Sequence, residues 1–330
     1  MAIYDINGNR LDGEETYPDY LVSETDNVLS TAKDDCKTKT YLFAVITDSH
    51  NERDATSKLS WKNAILAMKN INEKYHFDAI IHLGDIIHGV LPTEEAKDRI
   101  AESVANMRSV SDKVFVCRGN HESNFAYDAN HYELISTNEL YALIARQNEV
   151  DVVRVDNKLY YYVDYGEELR CVFLDGDTMG YAQGETTDDV RQNAMGQRFG
   201  YDDAEINWFS SVALNTNRQV AIFCHMPATH SYITAPGSWS DSYVNQQSYD
   251  DIRAVAKNFI TNGGTIVGWF YGHVHKKDKH KNVNSGFTEL GLRNSFGSKV
   301  PNFSLIAIKT TDRKVDVISF GQDPNDSFTY

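Results

Sequence analysis

Five short clusters in this 330-residue sequence hold residue types that bind metal ions: Asp48-Ser49-His50, Gly84-Asp85-Ile86-Ile87-His88, Gly119-Asn120-His121-Glu122, Cys224-His225-Met226 and Gly272-His273-Val274-His275. Imidazole suits Zn, Fe and Ni, while carboxylate and amide oxygens suit harder ions such as Mn, so a mixed set points to first-row divalent metals. Taken singly, each cluster has an ordinary explanation: a turn after glycine, a helix cap, a core histidine. Together they supply enough donors for two ions. Asp85 is the natural bridge, because one carboxylate can neutralise two cations, and His273 and His275 at alternate positions share one face of an extended segment. Two dications roughly 3.5–4 Å apart activate a shared water for hydrolysis.

The elements that must position these clusters follow from the apolar pattern. Tyr41–Ile46 is a continuous apolar run of the kind found in strands buried on both faces. A helix is expected over Trp61–Lys74, a strand over Phe77–Leu83, a helix over Thr93–Val110 with Thr93 as its N-cap, and a strand over Val114–Cys117. In the second half, Leu159–Val163 and Arg170–Leu174 read as a hairpin around Gly166-Glu167-Glu168. Helices at Asp203–Leu214 and Tyr249–Thr261 precede strands at Val220–Cys224 and Thr265–Tyr271. Phe303–Lys309 and Lys314–Phe320 form a second hairpin. Strands alternating with helices indicate a layered α/β domain. Each chemical cluster falls just past a strand's C-terminal end, the edge where α/β sheets bind ligands.

The ordered string D-x-H, G-D, G-N-H-E, H and G-H-x-H, from Asp48 to His275, resembles the calcineurin-like metallophosphoesterase superfamily. The resemblance covers about two-thirds of the chain. It implies an α/β (α+β) fold, a four-layer β-sandwich of two mixed sheets flanked by helices, with metals at the strand ends. It also implies that Asp48, His50 and His275 hold one ion and that Asn120, His225 and His273 hold a second, with Asp85 bridging. His121 is then the acid or phosphate contact outside the ligand set, and Arg118 a contact to the nonbridging oxygens. The implied cofactors are two divalent ions of Mn, Fe, Zn or Ni, and the implied activity is hydrolysis of phosphate esters. In the protein Ser/Thr phosphatases of the superfamily the second motif continues as G-D-x-V-D-R-G. Here His88 stands in place of the Asp and the Arg is missing, which looks more like the phosphodiesterases and DNA-repair nucleases. Arg118-Gly-Asn-His-Glu122 does match the phosphatases' third motif.

Composition narrows the partners. A formal charge of −15 opposes long-range attraction to nucleic acid, although bound dications can invert the local field at a site. A phosphodiesterase or broad phosphatase is therefore the leading reading, with a nuclease as the nearest alternative. For the nuclease speaks the basic run Lys276-Lys277-Asp278-Lys279-His280-Lys281, next to the last cluster; its other reading is a solvated hairpin. Asp175-Gly176-Asp177-Thr178, at another strand end, is an ordinary turn or a substrate contact, and Thr178–Gly200 is long enough for a cover over the site. Cys36, Cys117, Cys171 and Cys224 show no paired spacing and are read as reduced and structural, and His76, His82, His131 and His230 as structural. Residues 1–39, with nine acidic residues against four basic, are read as an acidic extension outside the 40–330 domain. Ile3–Leu11 resembles leaders of phage or prophage structural proteins. That makes docking to a particle, with a cell-wall teichoic acid as substrate, or a purely adaptor role, the remaining alternatives. No secretory signal and no membrane-spanning run is read, so the expected location is the cytoplasm or such a particle.

Overall fold

Strand β1 (Tyr41–Ile46) sends Leu42, Ala44 and Ile46 to one side and Phe43 and Val45 to the other, and all five are buried. A run that is apolar at every position needs cover on both faces, because successive side chains point in opposite directions. The same logic shapes β7 (Gln219–Phe223). Val220 and Ile222 face helices, while Ala221 and Phe223 face the opposing sheet.

The computed structural model describes residues 17–35, 40–124, 134–145, 152–179, 199–229, 231, 244–282 and 286–330. One mixed sheet contains β1, β2 (Ala79–His82), β3 (Val114–Val116), β11 (Phe303–Lys309), β12 (Lys314–Phe320) and β13 (Asp326–Thr329), in the order β13, β12, β11, β1, β2, β3. The other holds β4 (Val153–Arg154), β5 (Tyr161–Tyr165), β6 (Leu169–Phe173), β7, β8 (Thr265–Tyr271), β9 (Asp278–Asn282) and β10 (Phe287–Gly291), in the order β4, β5, β6, β7, β8, β10, β9. Within each sheet the central strands run parallel: β1 with β2 and β3, and β6 with β7, β8 and β10. Their C-terminal ends therefore lie on one edge. Helices α1 (Asp19–Asp35), α2 (Ala55–Asn72) and α3 (Thr93–Arg108) contribute to the core on the outer face of the first sheet. A short helix α4 (Thr137–Leu140), continued by a π-helical turn Tyr141–Ala145, joins them. Helices α5 (Asp203–Trp208) and α6 (Gln246–Thr261) cover the second sheet. This is the four-layer architecture the sequence implied.

Aromatic rings fill the space between the sheets. Tyr161, Phe173, Phe223 and Phe270 stack in series across β5, β6, β7 and β8, with centroids 4.6, 5.3 and 5.1 Å apart. The Tyr161 hydroxyl donates to Val116 O at 3.2 Å and ties β3 to the opposite sheet. Cys117, Cys171 and Cys224 are buried free thiols.

Several expectations change in detail. Helix α2 begins at Ala55 rather than Trp61, because the Asp54 carboxylate caps the Ser57 N–H at 2.7 Å. Thr93 is the first residue of α3, not its cap; Pro92 occupies the cap position. The expected Asp203–Leu214 helix is α5 followed by a π-helical turn, Phe209–Ala213. Residues 19–35, expected outside the core, form α1, with Leu21, Thr25, Val28 and Ala32 buried. That four-three-four spacing is a helical stripe with a threonine in it. Residues 1–16 and 36–39, which include Cys36 and the Ile3–Leu11 leader, lie outside the described residues, as do His131, His230 and residues 180–198. Among the described residues, no helix is long and apolar enough to cross a membrane.

Candidate metal centre

The five clusters meet because the backbone ladder continues past the strand ends. Asp48 N, His50 N and Asn51 N donate to the carbonyls of Gly84, Asp85 and Ile86 at 3.0, 3.1 and 3.0 Å, lacing the loop after β1 to the loop after β2. Gly272 N donates to His225 O at 3.0 Å, lacing the loops after β8 and β7. Two side chains then join the sheets: Asp48 Oδ2 accepts from His273 N at 3.0 Å, and His225 Nδ1 donates to Leu83 O at 3.0 Å.

The fit is tight enough to demand glycine. A Cβ on Gly119 would lie 2.3 Å from Asp85 Oδ1, and a Cβ on Gly84, whose φ is +105°, would lie 2.6 Å from Gly119 N. Eight described non-glycine residues have positive φ, and five of them are Asp48, His50, Asp85, His273 and His275. Such backbone is uncommon for ordinary residues and concentrates at functional sites.

The side-chain atoms converge on Asp85. Its Oδ2 lies 3.2 Å from His225 Nε2, 3.8 Å from His50 Nε2 and 3.9 Å from His121 Nε2. Asn120 Oδ1 lies 3.1 Å from His225 Nε2 and 2.9 Å from His273 Nδ1. Asp48 Oδ1 faces His275 Nε2 at 3.1 Å. The tautomers follow from the other ring nitrogens. Nδ1 of His50, His225 and His121 donates to the carbonyls of Ile87, Leu83 and His88 at 3.1, 3.0 and 2.7 Å. Each of these rings therefore turns its Nε2 toward carboxylate or amide oxygen. His50 Nε2 is buried without a hydrogen bond. Lone pairs facing lone pairs in a buried site are satisfied by cations placed between them, and backbone carbonyls that fix the far nitrogen are the usual support for such ligands. Two donor groups share Asp85: Asp48, His50, Asp85 and His275, and Asp85, His225 and His273. The residues fit a dinuclear centre.

Electrostatics agree. Burial lowers the His50 pKa to about 4 and the His273 pKa to about 3, which keeps both rings neutral as metal ligands must be. For His225 burial pulls the same way but Asp85 outweighs it, and the pKa rises to about 9. A cation beside Asp85 competes for the same lone pair.

A surrounding layer aims these groups. The buried Glu122 carboxylate accepts from Asp85 N, Ile86 N and Gly119 N at 2.9, 2.5 and 2.6 Å, so it clamps the second and third loops together. Burial and the neighbouring Asp85 push its pKa up to about 7. The Thr47 hydroxyl donates to Asp48 Oδ2 at 2.7 Å. Fully buried His82, which was read as structural, contacts the Ser49 hydroxyl at 3.0 Å. The Phe296 ring packs 4.9 Å from His50 and 5.1 Å from His275, and the Arg53 guanidinium lies 4.8 Å over it. No residue type or spacing in the sequence marked Thr47, Phe296 or the clamp made by Glu122.

Arg118 is placed differently from its expected contact with substrate. Its guanidinium is 1% exposed and donates to Asp175 Oδ1 at 2.9 Å and to Asp177 O at 2.8 Å. Asp175 N in turn donates to Glu205 at 2.7 Å. The Asp175–Thr178 turn is thus a buried brace on Arg118. Three lysines of the basic run have protein partners: Lys277 donates to Ser319 Oγ at 3.0 Å, Lys279 pairs with Asp326 at 2.5 Å, and Lys276 pairs with Asp278 at 3.1 Å.

Residues 41–277 match the family described as calcineurin-like phosphoesterase. The chain belongs to that family. As a calcineurin-like phosphoesterase it is a phosphoric ester hydrolase. Its fold is similar to a dimetal phosphatase of Danio rerio, at 15% identity and a TM-score of 0.67, over 88% of this chain and 99% of that one. It is also similar to the purple acid phosphatase PPD1 of yellow lupin (Lupinus luteus) seeds, at 12% identity and a TM-score of 0.50, over 88% of this chain and 54% of that one. At these identities the likeness shows the phosphoesterase fold alone. A search of curated proteins finds no sequence match.

Proposed function

We propose that this phosphoesterase hydrolyses phosphodiesters at a dinuclear centre of first-row divalent ions. Asp48, His50 and His275 would hold one ion, Asn120, His225 and His273 the other, and Asp85 would be shared by both. The observation that carries the reading is the convergence of carbonyl-fixed Nε2 atoms on Asp85 Oδ2. When bound, two such ions lower the pKa of a water and neutralise charge growing on the nonbridging oxygens.

The chain supplies the rest. Asp85 and Glu122 keep the second and third loops in register, so both halves of the ligand set stay in place. His121, with Nδ1–H held by His88 O, presents Nε2 to the leaving oxygen. Water oxygen bonds to phosphorus and gives up a proton to solvent, the ester P–O bond breaks, and the leaving oxygen takes the Nε2 proton of the His121 imidazolium, which is left as the neutral ring with its proton on Nδ1. A positioned histidine acid contributes about 10²–10⁴ in rate.

Two points support a diester over a monoester. Motif two carries His88 where the protein phosphatases have Asp, and their arginine is missing. Arg118 is already neutralised by Asp175, and a monoester dianion, with one more charge, gains more from a free guanidinium. The engagement of Lys277 and Lys279 weighs against a nucleic-acid backbone as substrate. The test is hydrolysis of bis(4-nitrophenyl) phosphate and 4-nitrophenyl phosphate by chelated protein, before and after Mn²⁺ is restored. Metal-dependent turnover favouring the diester is expected; turnover of the monoester alone overturns the diester reading.

A further inference from the structure

Glu52 lies two residues past His50, is 8% exposed, and has no part in the five motifs. Its Oε1 accepts from His88 N at 2.5 Å and from Gly89 N at 3.1 Å. The peptide unit between residues 88 and 89 is therefore held from both sides. Its N–H, on Gly89, points to Glu52. Its C=O, on His88, accepts from His121 Nδ1 at 2.7 Å. Gly89 makes this possible: its φ is +70°, and a Cβ there would lie 2.9 Å from His121 O. The His88 ring stacks on the His121 ring, with centroids 5.2 Å apart and planes 13° apart.

A carbonyl oxygen cannot donate, so the 2.7 Å contact requires the proton to sit on His121 Nδ1. That leaves Nε2 facing Asp85 and fixes which nitrogen does chemistry. Hydrogen bonds in series polarise one another, so an acceptor on the Gly89 N–H strengthens the His88 carbonyl as an acceptor for His121.

We infer that Glu52 is a positioning residue for His121, acting through the His88–Gly89 peptide to fix the tautomer and direction of the ring that protonates the leaving group. This rests on the reading of His121 as the proton donor. The device requires an acceptor oxygen at Glu52 rather than a charge.

The test uses the full chain loaded with Mn²⁺ and two substrates that differ only in leaving group, methyl 4-nitrophenyl phosphate and methyl phenyl phosphate. The phenolate needs a proton far more than the nitrophenolate. Glu52→Ala is expected to keep its metal content, to lose about 10–100-fold in kcat on the phenyl ester, a part of a histidine acid's usual contribution, and to lose little on the nitrophenyl ester. Glu52→Gln, which keeps an acceptor oxygen, restores most of that loss. Should Glu52→Ala fail to fold, Glu52→Asp, which draws the acceptor back by one methylene, is read the same way. Equal losses on both esters, loss of metal, or no loss overturns the inference. His121→Asn separates the two claims. If it shows no leaving-group dependence, the acid reading itself fails. If it does and the Glu52 variants do not, Glu52 has no such role.

Discussion

At the strand ends around Asp85, imidazoles and carboxylates are buried and face one another; along β9, β11 and β12, Lys279, Lys309 and Lys314 lie nearer solvent and each meets an opposite charge. Asp48, His50, Asp85 and His225 are all 2% exposed or less, and the candidate ligands include five of the eight non-glycine positive φ values. By contrast Lys279 pairs with Asp326 at 37% and 25% exposure, and Lys309 with Asp316 at 12% each. The hairpin between β11 and β12 has one strained turn residue, Arg313. In the outer hairpins the charged pairs are made between protein groups. At the inner edge His50 Nε2, its other ring nitrogen spent on the Ile87 carbonyl, is buried without a hydrogen bond and faces the Asp85 carboxylate. That difference marks a site built around cations rather than a surface that happens to be polar.

Four substitutions sharpen the contrast. The largest effect belongs to Asp85→Ala, which removes the carboxylate shared by both donor groups. Metal analysis should show both ions lost, and activity should fall by more than about 10³-fold, equivalent to about 4 kcal/mol. Retention of two ions would mean that Asp85 does not bridge them. Next comes Leu21→Ala, which opens a hole where α1 meets the first sheet. Thermal or denaturant unfolding should show a loss of about 2–5 kcal/mol with activity per folded molecule unchanged. A negligible loss would return α1 to the status of an appendage. Glu122→Gln leaves the ligands intact but weakens the clamp on Asp85 N, Ile86 N and Gly119 N. Metal titration should show about 10–100-fold weaker affinity, the usual cost of a lost supporting group. The smallest effect is expected from Lys279→Met, below about 1 kcal/mol for a partly exposed pair, with kcat unaltered. A marked loss of turnover there would instead restore a substrate role to the basic run.

Much of this was legible in the sequence, for identifiable reasons. Strands β1 and β8 were readable because a strand buried on both faces has to be largely apolar, and β11 and β12 because they straddle the turn at Asp312-Arg313. The ligand clusters were readable because few other uses combine carboxylate, amide and imidazole at five strand ends in that order. Helix α1 was missed because Thr25 interrupts the stripe of Leu21, Val28 and Ala32. Arg118 was misplaced for a different reason. Its motif does not reveal that Asp175, 57 positions later, closes on its guanidinium. Glu52 and Glu122 were invisible as supports because their partners are backbone N–H groups, which every residue has.

The most direct test is a crystal grown with Mn²⁺ and measured at its anomalous edge. Two peaks are expected, one on each side of the Asp85 carboxylate. The first should be bounded by Asp48, His50 and His275, the second by Asn120, His225 and His273. A single peak, or ions bound away from Asp85, would contradict the account.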